Sequence, residues 1–408
     1  MVDPNVTSAP REPCPFAVVA PTPFYSPGGC SARILGEIEG MRATHLPPTV
    51  FTYGTGEDPP GLRTVRAGPR IPGFTGGYHP SRPILDVLLS RAVLSSREVR
   101  RSLHVHLHEG GLIGRVVRQL TGVPYVLDLQ GSLVEEALRD ARTGGHRFAT
   151  LVLSAAERFA EDGAGYVVVS SPQIRDLLRT NVSGLRDRLF FIDDGIPDRF
   201  VLSPRDRARY RGEVRAELGD SASDFVIAYV GTLSATQGID SLIEAAPQIL
   251  RSIPTAMFRI YGLPFPGFSL PRYRETVRRL GLEARFRFMG PVPYDEAPRV
   301  LAGADVAVTW KSNPFEANGK IALYMAAGVP TVALRSPVSE GYLGKEGERG
   351  GLLTADVPEA AGSIVRLAVD ASLRERLGTE AANAARSHLS WSTRSAVIVE
   401  LHSRLTAS

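Results

Sequence analysis

The sequence predicts an α/β protein built as two doubly wound domains, and three observations carry that reading. Short apolar, β-branched runs alternate with longer segments of helical period along most of the chain. The alternation restarts, because a charged stretch at 203–224 separates the strand at 189–192 from a fresh buried strand at 225–230. A chain of 408 residues is also too long for one ordinary core. The division falls at 1–205 and 206–388, with 389–408 as a closing helix.

In the first half, strand Phe16–Ala20 leads into the loop PTPFYSPGG, Pro21–Gly29, and then a helix, Cys30–Arg42. Ile34, Ile38 and Met41 recur on that helix at helical spacing. The loop glycines do not follow GxGxxG, so a dinucleotide site is not supported. Gly28 and Gly29 do allow close approach of backbone to a ligand. Val50–Tyr53 is a second strand, and 54–80, rich in Gly and Pro, reads as a long surface loop. A helix at 82–101 feeds the strand LHVHLH, on which His104, His106 and His108 share one face by period two. Without a supporting Cys or Asp the triplet is a weak metal signal, and no metal site is assigned. A helix at 111–121, a turn at Gly122 and strand Pro124–Leu129 follow, and the strand empties into Gln130, Gly131 and Ser132. A helix at 145–162, strand Tyr166–Ser170, a helix at 172–180 and a strand at 189–192 complete this half. The loop DDGIP, Asp193–Pro197, begins the crossing.

The second half repeats the pattern. Strand Phe225–Val230 enters the loop GTLSATQG; a helix at 238–251, strand 256–261, helix 271–281, strand 285–289, helix 294–302 and strand 305–309 follow. Trp310–Leu334, WKSNPFEANGKIALYMAAGVPTVAL, then reads as a loop, a short helix over Lys320–Ala327, a stop at Gly328 and a strand from Pro330. Such a loop lies at the carboxyl ends of parallel strands, where ligands bind. The helix start suits a phosphate. Lysine occurs only at 311, 320 and 345, so two of three fall in this stretch, a pattern that fits an anionic ligand or chance in an arginine-rich chain. Helices at 357–387 and 391–405 close the chain.

Composition narrows the function classes. Charged residues at 22% and hydrophobic ones at 43% are those of a soluble globular protein. The start, MVDPNVTSAPRE, is polar and reads as disordered. A net charge of +4 with no Lys/Arg run gives no support to nucleic-acid binding. Small anions, or peripheral contact with an acidic membrane, stay open. Cys14 and Cys30 are too few for a disulfide framework or zinc cluster, and a cytoplasmic location is the default. No apolar run reaches membrane-spanning length.

The segments PFYSPGG, HLHEGGLIG, TGVPYVLDLQGS, VVVSSPQIRDLL, DDGIPDRF, YVGTLSATQGIDSLIEAA, FMGPVPYDEAPRVLAGADVAV and NGKIALYMAAGVPTVA, in this order over about 16–390, resemble the retaining glycosyltransferases of family 4. The resemblance implies the GT-B fold, two Rossmann-like domains facing a central cleft. It implies transfer of a sugar from a nucleoside-diphosphate sugar to a hydroxyl acceptor with retention of configuration. The acceptor, a small molecule, glycan or lipid-linked group, would lie on the N-terminal domain and the donor on the C-terminal one. The nucleotide sugar is a co-substrate, and neither a cofactor nor a metal ion is implied.

Carried over residue by residue, the resemblance gives a donor set of Gly28, Gly29, Thr232, Gln237, Asn318, Gly319, Lys320, Ile321 and Leu323, and a catalytic set of Gln130, His108 and Glu316. Thr232 and Gln237 stand where the family pattern GRLxxxKG supplies an Arg and a Lys to the diphosphate. Leu323 replaces a ribose-binding glutamate, and Gln130 a histidine near the reacting carbon. Two lost charge-assisted bonds are worth about 1.5–3 kcal/mol each. Lys320 at the helix start, with Lys311 or Arg33 in reach, would offset them. Glu316 lies near the family's first glutamate, one residue short in its spacing to Gly328, or is a solvent-facing loop acid. Asp194 matches an asparagine at the domain crossing, or is a turn-forming residue. The expected function is an active glycosyltransferase; the alternatives are a catalytically silent binding or partner subunit and an enzyme with an unusual donor.

Overall fold

The computed structural model describes residues 12–26, 28–74, 79–98, 101–132, 146–181, 184–264, 270–313 and 315–407. Residues 1–11, most of the start expected to be disordered, lie outside the described residues.

Among the described residues the strands form two parallel sheets. The first has seven strands in the order β3-β2-β1-β4-β5-β6-β7. They are β1 (Ala17–Ala20), β2 (Val50–Tyr53), β3 (Thr64–Ala67), β4 (Leu103–His106), β5 (Tyr125–Leu129), β6 (Tyr166–Val169) and β7 (Leu189–Phe191). The second has six, β10-β9-β8-β11-β12-β13: β8 (Phe225–Val230), β9 (Ala256–Tyr261), β10 (Phe286–Gly290), β11 (Val306–Thr309), β12 (Thr331–Leu334) and β13 (Gly351–Thr354). Strands β1, β2, β4 and β5 are buried along their whole length, as parallel strands covered by helices on both faces must be. Each sheet reverses its strand order once, between β1 and β4 and between β8 and β11, and the crevice at such a reversal is where ligands bind. This is the two-domain α/β architecture expected from the sequence.

Several elements differ from the expectation. The loop at 54–80 contains β3, a short edge strand, only partly buried, with too little apolar pattern to read. The helix at 82–101 stops at Ser95. The strand LHVHLH stops at His106, because Leu107 takes a left-handed backbone (φ 63) and a helix then runs over Leu107–Thr121. That turn costs a non-glycine residue roughly 1–2 kcal/mol and breaks the period-two alternation, so His108 is a helix residue, not a third strand histidine. A short helix, Pro337–Leu343, and strand β13 fill a stretch left unassigned. The helix at 357–387 is two, Val357–Val369 and Ala371–His388, divided at Asp370, whose carboxylate caps the second by accepting from the Leu373 N–H at 2.8 Å.

The closing helix, Trp391–Ala407, returns to the first sheet and packs on the helix Gly29–Met41. Its entry runs beside the first crossing, where Ile196 N–H donates to Leu389 O at 2.7 Å and Trp391 N–H to Ile196 O at 3.1 Å. The two helices approach at glycines. A Cβ on Gly36 would lie 2.0 Å from Trp391 Nε1, and one on Gly40 would lie 2.3 Å from Ser395 Oγ. Gly36→Ala is therefore expected to lower stability by about 1–3 kcal/mol, read as a lower urea midpoint by tryptophan fluorescence. An unchanged midpoint would contradict this packing.

Candidate active site

The site is assembled where β8 and β11 diverge. Here α/β chain order brings the loop 231–238, the loop 310–319 and the short helix Lys320–Ala326 together. Lys320 opens that helix. Its Nζ donates to Gln237 Oε1 at 2.6 Å and to the Tyr229 hydroxyl at 3.3 Å, and lies 4.7 Å from the Tyr229 ring centroid. Gln237 Nε2 donates in turn to Glu316 Oε2 at 3.4 Å. Lys311 Nζ sits 2.8 Å from the same oxygen and donates to Ala317 O at 2.6 Å, while Asn313 Nδ2 donates to Glu316 Oε1. Tyr229, Lys320, Gln237, Glu316, Lys311 and Asn313 thus form one connected polar chain. A cavity of about 310 Å³ adjoins it, bounded by Lys311, Asn313 and Glu316 on one side and Ser336 and Pro337 on the other.

Burial sets the charges. It pushes the Lys320 ammonium well below its ordinary value, Lys311 adds to this, and Glu316 opposes it. Burial also pushes the Glu316 carboxyl up, but the charge and hydrogen bond of Lys311, the Asn313 amide and Lys320 reverse it, and the group sits below the usual carboxylate range. Glu316 is therefore an anion held by two lysines and an amide. A ligand anion placed against Lys320 would supply the charge that its surroundings lack.

The other residues named from the sequence are placed less uniformly. Thr232 offers its carbonyl, which accepts from the Tyr229 hydroxyl at 2.6 Å. Asn318 is buried and its side chain is bonded to Thr309 at 3.0 Å. Ile321 is fully buried in the core, and its N–H donates to Asn318 O, so neither its side chain nor its amide is presented to a ligand. Leu323 is half-buried and packs against two apolar clusters. Gly28 and Gly29 are exposed, and an added Cβ at either would touch nothing within 4 Å. Arg33 is not available to a phosphate. It is 2% exposed and closed in by Asp128, Glu37, Asp194 and the Ile192 carbonyl.

In the N-terminal half, Gln130 follows β5 with its Nε2 buried and unpartnered among the described residues. His108 Nε2 lies 3.1 Å from Glu157 Oε1, to which Ser132 Oγ also donates at 3.1 Å. Asp194 joins the two halves. Its Oδ1 accepts from Arg33 Nη1 at 2.9 Å, and a Cβ on Gly319 would lie 2.7 Å from its Oδ2, so glycine lets the crossing reach the start of the Lys320 helix. Sequence reasoning missed Tyr229 and Asn313. The first reads as a core strand residue and the second as a loop residue, and neither carries a signal of its own.

Comparison with known proteins decides the family. The model described as "Glycosyl transferase 4-like domain" matches residues 28–194, and that described as "Glycosyl transferases group 1" matches residues 224–370. The chain belongs to the GT4-type glycosyltransferases of the GT-B fold. It is 27% identical over 315 residues to the D-inositol 3-phosphate glycosyltransferase of Corynebacterium glutamicum, covering 75% of this chain and 72% of the relative. It is 28% identical over 327 residues to the 2-deoxystreptamine N-acetyl-D-glucosaminyltransferase of Streptomyces fradiae, covering 76% and 75%. The crystal structure of HepE from Anabaena with UDP and glucose superposes with a TM-score of 0.76 at 19% identity, over 96% of this chain and 99% of that one. None of the described helices of this chain is long and apolar enough to cross a membrane.

The lowered Lys320 has a sign that can be checked. A lysine depressed on folding binds more protons unfolded, so its contribution to stability rises with pH above its folded value. A diphosphate set against it favours the charged ammonium. Binding of a nucleoside diphosphate by this glycosyltransferase is therefore expected to take up protons and to weaken as pH rises. Calorimetry in two buffers of different ionisation heat measures the uptake, and release of protons would contradict it.

Proposed function

We propose that the chain is an active, retaining glycosyltransferase that holds its donor's diphosphate through Lys320, delivered from the helix start rather than from the loop after β8. The observation that carries this is the 2.6 Å contact between Lys320 Nζ and Gln237. Gln237 stands where the family pattern has a lysine, so the ammonium of Lys320 reaches the very place from which a positive charge is missing. Charge develops on the departing diphosphate in the transition state, and a preplaced cation in a partly dry site stabilises it there. Glu316, fixed by Lys311 and Asn313, would accept from the sugar's hydroxyls. Gln130, whose amide Nε2 has no partner among the described residues, would donate to the sugar, but as an amide it cannot exchange a proton.

The names of two relatives support an acceptor class. Each is named for a cyclitol, D-inositol 3-phosphate in one and 2-deoxystreptamine in the other, and a polyhydroxylated six-membered ring is the acceptor class proposed for this chain. HepE, which shares the fold, holds UDP and glucose in its crystal structure, so a uridine nucleotide is a natural first candidate.

A thermal-shift panel of UDP, GDP, ADP and TDP tests the reading. One of the four is expected to raise the melting temperature selectively, and Lys320→Ala to weaken its binding roughly 10- to 100-fold, the loss of one charge-assisted bond. A folded protein that responds to none of them would instead favour the silent partner subunit. Unchanged affinity in Lys320→Ala would remove the lysine from the account while leaving the family assignment intact.

A further inference from the structure

Away from the donor site, the face of the first sheet that meets the helix Gly29–Met41 buries a cluster of ionisable groups. His104 and His106 alternate on β4 and face the same side, and Asp128 on β5 pairs in register with His106. Glu37 comes from the helix, one turn after Arg33. None of these four side chains is more than 3% exposed.

Their mutual separations are longer than the roughly 2.7–3.2 Å usual for an N–H···O hydrogen bond. Glu37 Oε2 lies 3.3 Å from His104 Nε2 and 3.6 Å from His106 Nε2, and Asp128 Oδ2 lies 4.0 Å from His104 Nε2. Among the described residues His104 Nε2 and both ring nitrogens of His106 have no hydrogen-bond partner, although all are buried. One ligand atom from each residue falls within 4.8 Å of all the others. Around a tetrahedral zinc ion, ligands at about 2.0–2.1 Å from the metal stand about 3.3–3.4 Å from one another. The Glu37–His104 and Glu37–His106 distances are close to that edge.

The surroundings are also those of a ligand set. His104 Nδ1 is 3.1 Å from His402 Nε2, and His402 Nδ1 is 2.8 Å from Ser102 Oγ, which donates to Pro15 O at 3.2 Å. Read outward, this relay places the His104 proton on Nδ1 and turns the Nε2 lone pair toward Glu37, as an outer hydrogen bond does for a metal-bound histidine. Arg33 lies beside the carboxyl groups of Glu37, Asp128 and Asp194 and fixes their positions.

We propose that Glu37, His104, His106 and Asp128 hold a structural divalent metal ion of the zinc class, with Arg33 and His402 orienting its ligands. The site is closed to substrate, so its role is to fasten the helix Gly29–Met41 to β4 and β5. The strand histidines gave only a weak metal signal in the sequence because both acids come from other elements.

Metal analysis of the full chain tests this. Protein grown with zinc and purified without chelator is expected to carry about one zinc ion per chain, the stoichiometry of a single closed site. Glu37→Gln and His106→Gln are each expected to lose it. Because either variant could fail to fold, the wild type stripped by chelator is the second arm. Added zinc should raise its melting temperature, and added cobalt(II) should give the visible bands of a four-coordinate ion. A folded wild type that neither carries zinc nor is stabilised by it would overturn the site, leaving a proton shared between Glu37 and the imidazoles. Zinc retained equally by both folded variants would also overturn it.

Discussion

The guanidinium of Arg33 fixes how the two halves of the chain meet. It donates to both oxygens of Asp128 on β5, to the Ile192 carbonyl and to Asp194 in the crossing, and it lies 5.6 Å from the Trp391 ring centroid on the closing helix. Those partners come from three separate parts of the sequence: β5, the crossing at 192–194 and the closing helix. Removing one member of a buried ion pair typically costs about 3–5 kcal/mol, because the charge left behind has no water to turn to. Asp194 is thus held toward the first sheet by one oxygen and rests against Gly319 on its other side. Through that contact the start of the Lys320 helix is positioned relative to the N-terminal half, and so is the ammonium that the donor is proposed to meet.

The donor side uses its charges sparingly. Lys320 and Lys311 share one acid, Glu316, and a neutral amide, Gln237, links the acid to Lys320. Tyr229 and the loop after β8 enclose the Lys320 ammonium, which is why burial works against its charge. Under the proposed reading, Lys320 places its Nζ beside position 237, where the pattern GRLxxxKG would supply a lysine.

Much of this was legible in the sequence for physical reasons. Buried parallel strands must be apolar along their length, so AVVA, VFTY and FVIAYV announced themselves. Gly328, with φ 67, ended its helix where a glycine stop was read. Strand β3 was not legible because three of its four residues are only partly buried and leave no apolar run. His108 was misplaced because Leu107 adopts a conformation that bulky residues rarely take, and no local pattern foretells it. Arg33 was taken for a ligand-facing cation, since its three carboxylate partners are scattered and only the folded chain brings them together. The link from Lys320 to Gln237 was hidden in the same way, because it joins residues across two βα loops.

The measurement that bears most directly on the relocated charge is the nucleoside diphosphate affinity of the double variant Lys320→Ala/Gln237→Lys against that of Lys320→Ala alone. If Lys320 supplies the charge that a lysine at position 237 would otherwise provide, the second substitution should recover most of the lost affinity. An unrestored affinity, in a double variant that melts at the wild-type temperature, would contradict the exchange of one lysine for the other.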